Sequence, residues 1–182
     1  SHPDIATFDI NIKLTRKGEK EYQRVMELVF AYFEMLRQKG FEPYTFLESK
    51  RMAEINLKWR ELQEGMGFVA GQSALMQDYP LEEIETTPYL FTKEDKATYR
   101  AILETLRPEN MLAVLSSQAV KTDKKEKFFG TEYSLEEVGG EAFANLKNPV
   151  PVEGIGYPER NDFLPEQLVL HAEHPHLIRD DD

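Results

Sequence analysis

The first regular pattern in the sequence is an alternation of apolar and polar side chains. Phe8, Ile10 and Ile12 are separated by single polar residues. Because successive side chains of a strand point to opposite faces, this period of two predicts a half-buried strand over residues 7–13. Two more strands are predicted, a buried one over the apolar run 111–115 and a short one that follows a turn within 128–133.

A helical period follows the first strand. From Thr15, a suitable N-cap, apolar residues recur every three or four positions until Gly40, a C′ glycine that can adopt positive φ without strain. Pro43 suits the first turn of the next helix, and Thr92 with Asp95 forms a variant capping box that opens a later one. The predicted helices cover residues 15–39, 43–60, 67–77, 81–85 and 92–107.

These elements predict an α+β fold, in which several helices pack on a small mixed or antiparallel sheet. Three strands are fewer than most isolated sheets contain, and a first strand without a preceding partner leaves an open edge. We therefore expect an incomplete domain, in which another copy, the C-terminal arm or a neighbouring molecule covers residues 7–14. Self-association through this edge strand is one expected consequence.

The composition and periodicity of the sequence change after residue 147. Prolines and glycines crowd the last 35 residues, and no helical or strand period survives there. The sequence thus predicts a partial α+β domain over residues 1–147 and an extended Pro/Gly-rich arm over 148–182.

Composition narrows the choice of partner and compartment. The 182 residues carry 33 acidic and 22 basic side chains, a formal charge of −11 that disfavours nucleic acid. The densest basic run, Lys121–Lys127, is interrupted by Asp123 and Glu126, and we interpret it as a solvated loop. No apolar run approaches the ~20 residues that cross a bilayer, so no membrane partner is expected. The absence of cysteine excludes disulfides and thiolate metal sites, and fits the cytoplasm and a bacterial periplasm equally well.

Histidines near the C-terminus form the strongest candidate for a metal-binding site in the sequence. His171, Glu173, His174 and His176 could bind zinc if they converged. A helical zinc motif needs two histidines four positions apart, whereas His171 and His174 are three apart, and Pro175 favours an extended conformation at the residue before it. We therefore expect this cluster to bind metal adventitiously or not at all. A function as an independent metalloprotein is the least favoured.

Four other sets of residues are explained better by a structural role than by a catalytic or ligand-binding role. Residues 154–156 contain two glycines, but Pro158 follows and no phosphate-binding helix is predicted after them. The acidic residues of 82–85 fit a solvated helical face, and Ser116–Ser117 has no nearby histidine to activate a hydroxyl. Trp59 lies on the apolar face of the second predicted helix and is predicted to belong to the core, with Phe46, Leu47, Met52 and Ile55.

Six segments, in order along the chain, resemble the middle part of the pitrilysin and insulin-degrading-enzyme family, the M16-type inverted zincins. The resemblance extends from Phe8 to Asp182. The segments are Phe8–Thr15, Leu36–Gly40, Tyr79–Glu83, Leu106–Met111, Phe129–Tyr133, and the pair Asn161–Pro165 and Pro175–Ile178.

The resemblance implies a parent protein that is a large zinc endopeptidase. Four related α/β units form two bowl-shaped halves around a chamber, and the zinc sits in the first unit on an inverted His-x-x-Glu-His motif. Glu173–His174 lacks a histidine at the required position, so no catalytic, cofactor-binding or metal-binding residue is carried over to this chain. Zinc is expected in the parent's N-terminal domain.

The resemblance further implies that this chain is the later part of the second, non-catalytic domain and the start of the hinge arm. Its expected role is a chamber wall, and its expected partners are the remaining domains of the parent and peptide substrates. The alternative is an inactive scaffold or peptide-binding module. These two functional hypotheses differ in whether an intact zinc motif is encoded upstream of this chain.

Overall fold

The computed structural model describes residues 7–61 and 65–165 of the chain. Within these residues it contains six α-helices, two short 3-10 helices and one β-hairpin. The α-helices are α1 Arg16–Lys20, α2 Tyr22–Lys39, α3 Pro43–Lys58, α4 Met66–Leu75, α5 Lys96–Thr105 and α6 Gly140–Lys147. The 3-10 helices are Thr87–Tyr89 and Pro108–Asn110, and the strands are β1 Lys124–Lys125 and β2 Glu132–Tyr133.

The described residues fall into two compact units. The first unit lies within Ser1–Phe41 and Lys96–Tyr157, and the second within Glu42–Asp95 and Pro158–Asp182. The fold is mostly helical with one small antiparallel sheet, as the predicted α+β class requires. The boundary between a domain at 1–147 and an arm at 148–182 stays a prediction.

The core of the first unit forms where α2 meets α5 and α6. Phe30 and Phe33 of α2, Leu103 of α5 and Leu146 of α6 are each at most 7% exposed. The two phenyl rings meet edge to face, with centroids 5.7 Å apart. Each such side chain contributes about 1.5–3 kcal/mol by its burial, so this cluster contributes substantially to the unit's stability.

Both ends of the predicted first helix are confirmed, although the helix is interrupted at Glu21. Thr15 is the N-cap, and its hydroxyl oxygen accepts the amide N–H of Gly18 at 3.2 Å. At the other end Gly40 has φ +85°, as the C′ glycine requires. The main-chain oxygen of Gly40 accepts a hydrogen bond from the Tyr157 hydroxyl, which ties residues 148–157 to this helix end.

The helices of the second unit bury less than the sequence predicts. Pro43 opens α3 as expected, but no residue of α3 is fully buried. Leu47, Met52 and Trp59 are 60%, 42% and 52% exposed, so their assignment to the core is wrong. Apolar spacing fixes one face of a helix, but burial also requires a second element across that face, and the described residues provide only partial cover.

Two predicted helix features in the middle of the chain are also wrong. Residues 81–86 form consecutive turns rather than a helix, because so short a segment between Pro80 and Pro88 cannot repay the cost of helix nucleation. The next helix begins at Lys96, directly after Asp95, so Thr92 does not open it. That helix ends before Pro108, as predicted.

The predicted strands have different outcomes. The short strand within 128–133 is confirmed as β2, which pairs antiparallel with β1 in the register Lys124 with Tyr133 and Lys125 with Glu132. Residues 7–13 and 111–115 belong to no sheet in the described chain, and those two predictions are wrong here. A strand persists by hydrogen bonding to a neighbour, and no described segment supplies one. Coverage of the 7–14 edge by another molecule stays a prediction.

Candidate functional site

A groove of 680 Å³ runs along one face of α3 in the second unit. Its floor is a helical stripe in which successive side chains are alternately three positions and one position apart, and each wall comes from a segment distant in sequence. The floor residues are Thr45, Glu48, Ser49, Met52, Ala53, Asn56, Leu57 and Arg60; the walls are Tyr89 and Phe91 on one side and Pro158, Asn161 and Leu164 on the other.

Hydrogen bonds to the start of α3 hold one wall in place. The carboxylate of Glu48 accepts the amide N–H of Asn161 at 2.9 Å, and Arg51 Nε donates to the main-chain oxygen of Pro165 at 3.1 Å. The Tyr44 hydroxyl donates to the oxygen of Pro158. Hydrogen bonds to charged groups contribute about 1.5–3 kcal/mol each, so residues 158–165 are fixed against α3 despite having no helix or strand.

Aromatic side chains form the opposite wall. Tyr89 and Phe91 are 42% and 53% exposed, and the guanidinium of Arg60 lies 5.2 Å from the Tyr89 ring centroid. Met52 on the floor is likewise 42% exposed. An open groove that combines apolar and polar side chains suits an extended peptide segment, because apolar contacts give affinity and a few polar groups fix orientation.

The first unit has a smaller cleft of 370 Å³ that is charged but balanced. Each basic side chain that lines it is paired with a carboxylate, so the cleft has no surplus charge to attract an anion. At the exposed pair the Lys147 ammonium lies 2.7 Å from the Glu109 carboxylate and lowers the pKa of that carboxyl. The pairs are Arg37–Glu34, Arg107–Glu104 and Lys147–Glu109.

Among the described residues, none of the predicted candidate groups forms a site. His171, Glu173, His174 and His176 lie outside the described residues. Gly154 has φ +83° in a turn, and no helix begins between it and Pro165, so the pair of glycines has no phosphate-binding helix behind it. The Ser117 hydroxyl contacts the carboxylate of Glu19 and accepts the amide of Ala119, which makes it a structural link.

The remaining candidates are surface groups. Within 82–85 the Glu83 carboxylate accepts the Thr87 hydroxyl at 3.1 Å and so supports the turn. Trp59, half exposed at the end of α3, has the Lys58 ammonium 5.4 Å from its ring centroid. Both contacts are local along the chain and indicate structural roles.

Two further properties concern metals and membranes. In residues 7–61 and 65–165, no three His, Cys, Asp or Glu side chains are arranged to hold a metal ion. This part of the chain therefore provides no ligand set for a zinc ion. None of its helices is long and apolar enough to cross a bilayer.

Sequence comparison decides the family. Residues 58–182 match the family described as the middle or third domain of peptidase M16. The chain belongs to this family. The M16 peptidases are zinc metallopeptidases, and the predicted resemblance, including its assignment to the middle domain, is confirmed.

M16 relatives align with most of this chain but are much longer. Human insulin-degrading enzyme is 29% identical over 181 residues, covering 95% of this chain and 18% of the enzyme. Human nardilysin is 33% identical over 135 residues, covering 73% of this chain and 12% of nardilysin. The crystal structure of pitrilysin superimposes with a TM-score of 0.79 at 21% identity, covering 85% of this chain and 16% of that one, which shows a shared fold. The chain thus spans about 18% of the first of these M16 relatives.

Proposed function

We propose that the chain is a non-catalytic wall segment of the chamber in a peptide-degrading zinc metalloendopeptidase. The observation that carries the proposal is the match of residues 58–182 to the M16 middle domain. Proteolysis then belongs to the longer protein, and zinc to its N-terminal domain. The similarity to insulin-degrading enzyme over 18% of that enzyme's length supports the role of one domain within a larger peptidase.

Exposed apolar side chains of the first unit also support this role. Phe8, Ile10 and Ile12 are 60%, 47% and 48% exposed, and Leu112 and Val114 exceed 80%. Apolar residues that recur at alternate positions suit a surface that further strands of a larger domain would cover. A wall segment has such a surface because the rest of its protein packs against it.

The proposal is tested on the longer polypeptide that contains these residues. Cleavage of an internally quenched peptide should be lost on chelation and restored by zinc, whereas the 182-residue chain should show no cleavage. A longer polypeptide that lacks an inverted zinc motif, or that carries one and cleaves no peptide with zinc present, would contradict the proposal. Chelation matters because a metallopeptidase depends on metal-activated water.

A second candidate function is an inactive scaffold or peptide-binding module. The open groove along α3 favours it, since an extended peptide fits a groove of this kind. Binding of extended apolar peptides can be followed by anisotropy with the Met52→Lys variant. Leu47→Lys is the matched control, because Leu47 is on the same helix and exposed but does not line the groove. Loss of binding in the Met52 variant alone, together with a degraded zinc motif upstream, would favour this second function.

A further inference from the structure

The β1–β2 hairpin projects two neighbouring aromatic side chains into solvent. Phe128 is 83% exposed and Phe129 is 92% exposed. Single exposed apolar residues are ordinary on a protein surface, whereas adjacent phenyl rings at a hairpin tip form a ready contact point, because aromatic residues are enriched in interface cores.

The tip is fixed in one conformation. The two carboxylate oxygens of Glu126 accept the amide N–H groups of Phe128 and Phe129, each at 2.6 Å. The Glu126 amide in turn donates to the oxygen of Thr131 at 2.8 Å, and Gly130 has φ +69°, where a side chain would be strained. A contact point held in this way loses little conformational freedom on binding, which favours a specific partner.

The hairpin also carries a small excess of positive charge in an acidic chain, since residues 121–133 contain four lysines against Asp123, Glu126 and Glu132. Its four lysines are exposed, and none forms an ion pair with any residue in the described part of the chain. The Lys127 ammonium lies 5.9 Å from the Phe128 ring centroid, beside the aromatic contact point. The formal charge of the chain is −11, so a local excess of positive charge stands out. Charge complementarity then indicates a partner whose apolar pocket has an acidic rim. The lysines are Lys121, Lys124, Lys125 and Lys127.

We infer that this hairpin docks into an acid-rimmed apolar pocket formed by another segment of the same polypeptide, outside these 182 residues. The inference rests on the proposed function, which makes the chain one part of a longer peptidase. Because the chain aligns with only 18% of human insulin-degrading enzyme, a protein of that length would have ample further surface to supply the pocket.

Thiol accessibility at the tip tests the inference. The chain has no cysteine, so Phe129→Cys introduces the only thiol of these 182 residues. In the longer polypeptide, freed of its other cysteines, maleimide labelling of residue 129 should be at least about tenfold slower in native than in denaturing buffer. In the isolated chain the native and denatured rates should agree within about twofold, since Phe129 is 92% exposed there. Lys20→Cys, at an exposed polar position of α1, is the control for reagent access.

Each other result would overturn the inference. Protection below about tenfold in the longer polypeptide would mean that the tip is not docked in a pocket. Protection of the isolated chain that grows with its concentration would assign the tip to a second copy, and protection that needs vesicles of anionic lipid would assign it to a membrane. In the longer polypeptide, Lys124→Glu with Lys125→Glu should raise the labelling rate at least about threefold, and no change would exclude the acidic rim.

The inference and the proposed function fail in different ways. Labelling needs no catalytic activity, so a protected tip in a polypeptide without zinc-dependent cleavage would contradict only the proposed function. An accessible tip in an active, zinc-dependent peptidase would contradict only the docking of the hairpin.

Discussion

Arg37 Nη2, on α2, donates a hydrogen bond of 2.6 Å to the main-chain oxygen of Leu106, directly beyond the end of α5. The same nitrogen lies 3.3 Å from the oxygen of Leu103. The last carbonyls of a helix have no partner within the helix, and the negative end of its dipole lies there. One cationic side chain therefore satisfies the end of α5 and fastens it to α2.

Replacing Arg37 by Met should lower the free energy of unfolding by about 2 kcal/mol, because two carbonyls lose a charged donor in a partly buried site. Arg37 Nε is buried without a partner among the described residues, so the variant also removes one unsatisfied donor, which limits the loss. Thermal unfolding should show a decrease in Tm of about 4–8 °C.

Arg24→Met is the matched control for Arg37. Arg24 is on the same helix, and within residues 7–61 and 65–165 its ion pair is with Glu27, one turn away, with half of its side chain exposed. Exposed pairs of this kind contribute about 0.3–0.5 kcal/mol, so its Tm should hardly change. Equal losses in the two variants would contradict a special role for the contact between Arg37 and Leu106.

Two neighbouring residues of α5 allow a direct test of the core. Leu103 is 4% exposed within the α2–α5–α6 cluster, whereas Ile102 is 51% exposed. Leu103→Ala should cost about 2–4 kcal/mol, since it leaves a cavity, and Ile102→Ala should cost less than about 1 kcal/mol. Urea unfolding of both variants measures the difference, and similar midpoints would contradict the assigned helix orientation.

Two glycines should respond to the same substitution with opposite signs. Gly40 has φ +85° and ψ −159°, a region that is essentially restricted to glycine, so Gly40→Ala should destabilise by about 2 kcal/mol. Gly71 lies inside α4 with open space around the position of a Cβ atom, so Gly71→Ala should stabilise by about 0.5–1 kcal/mol. Calorimetry of both variants measures the two shifts. A stabilising alanine at position 40 would contradict the described helix end.

Local signals in the sequence were enough to find most helices. Pro43 and Gly40 mark helix ends by restrictions on their own backbone, and these predictions are confirmed. By contrast α6 was missed, because it has only eight residues and begins at the glycine pair 139–140, so its apolar residues Phe143 and Leu146 are too few to show a period. Leu146 nevertheless joins the core, a contact made through tertiary structure that no local pattern encodes.

The strands and the groove could not be predicted reliably, because both require partners that are distant in sequence. The alternation at Phe8, Ile10 and Ile12 indicates which side chains share a face, but a strand needs a hydrogen-bonding neighbour, which the described chain lacks. The groove was missed for a similar reason. Its floor on α3 repeats with a visible period, while Tyr89 reaches it from a short 3-10 helix and Leu164 from an irregular segment, neither of which has a period of its own.

The pH dependence of the hairpin tip follows from Glu126. Hydrogen bonds from the amides of Phe129 and Phe128 lower the pKa of this carboxyl below its ordinary value of 4.5. A lowered pKa in the folded state means that the carboxylate stabilises the tip at pH values above 4.5. This stabilisation is lost as the pH falls through the lower, folded-state pKa.

The amide chemical shifts of Phe128 and Phe129 should therefore titrate together, with a midpoint below pH 4.5. Glu126→Gln should abolish this titration, since an amide side chain does not ionise, whereas Glu132→Gln on β2 should leave it intact. Dilute samples are needed, because the sequence pI is 4.9 and solubility decreases near that pH. A midpoint at or above 4.5, or a titration that persists in the Glu126 variant, would show that this carboxylate does not hold the tip.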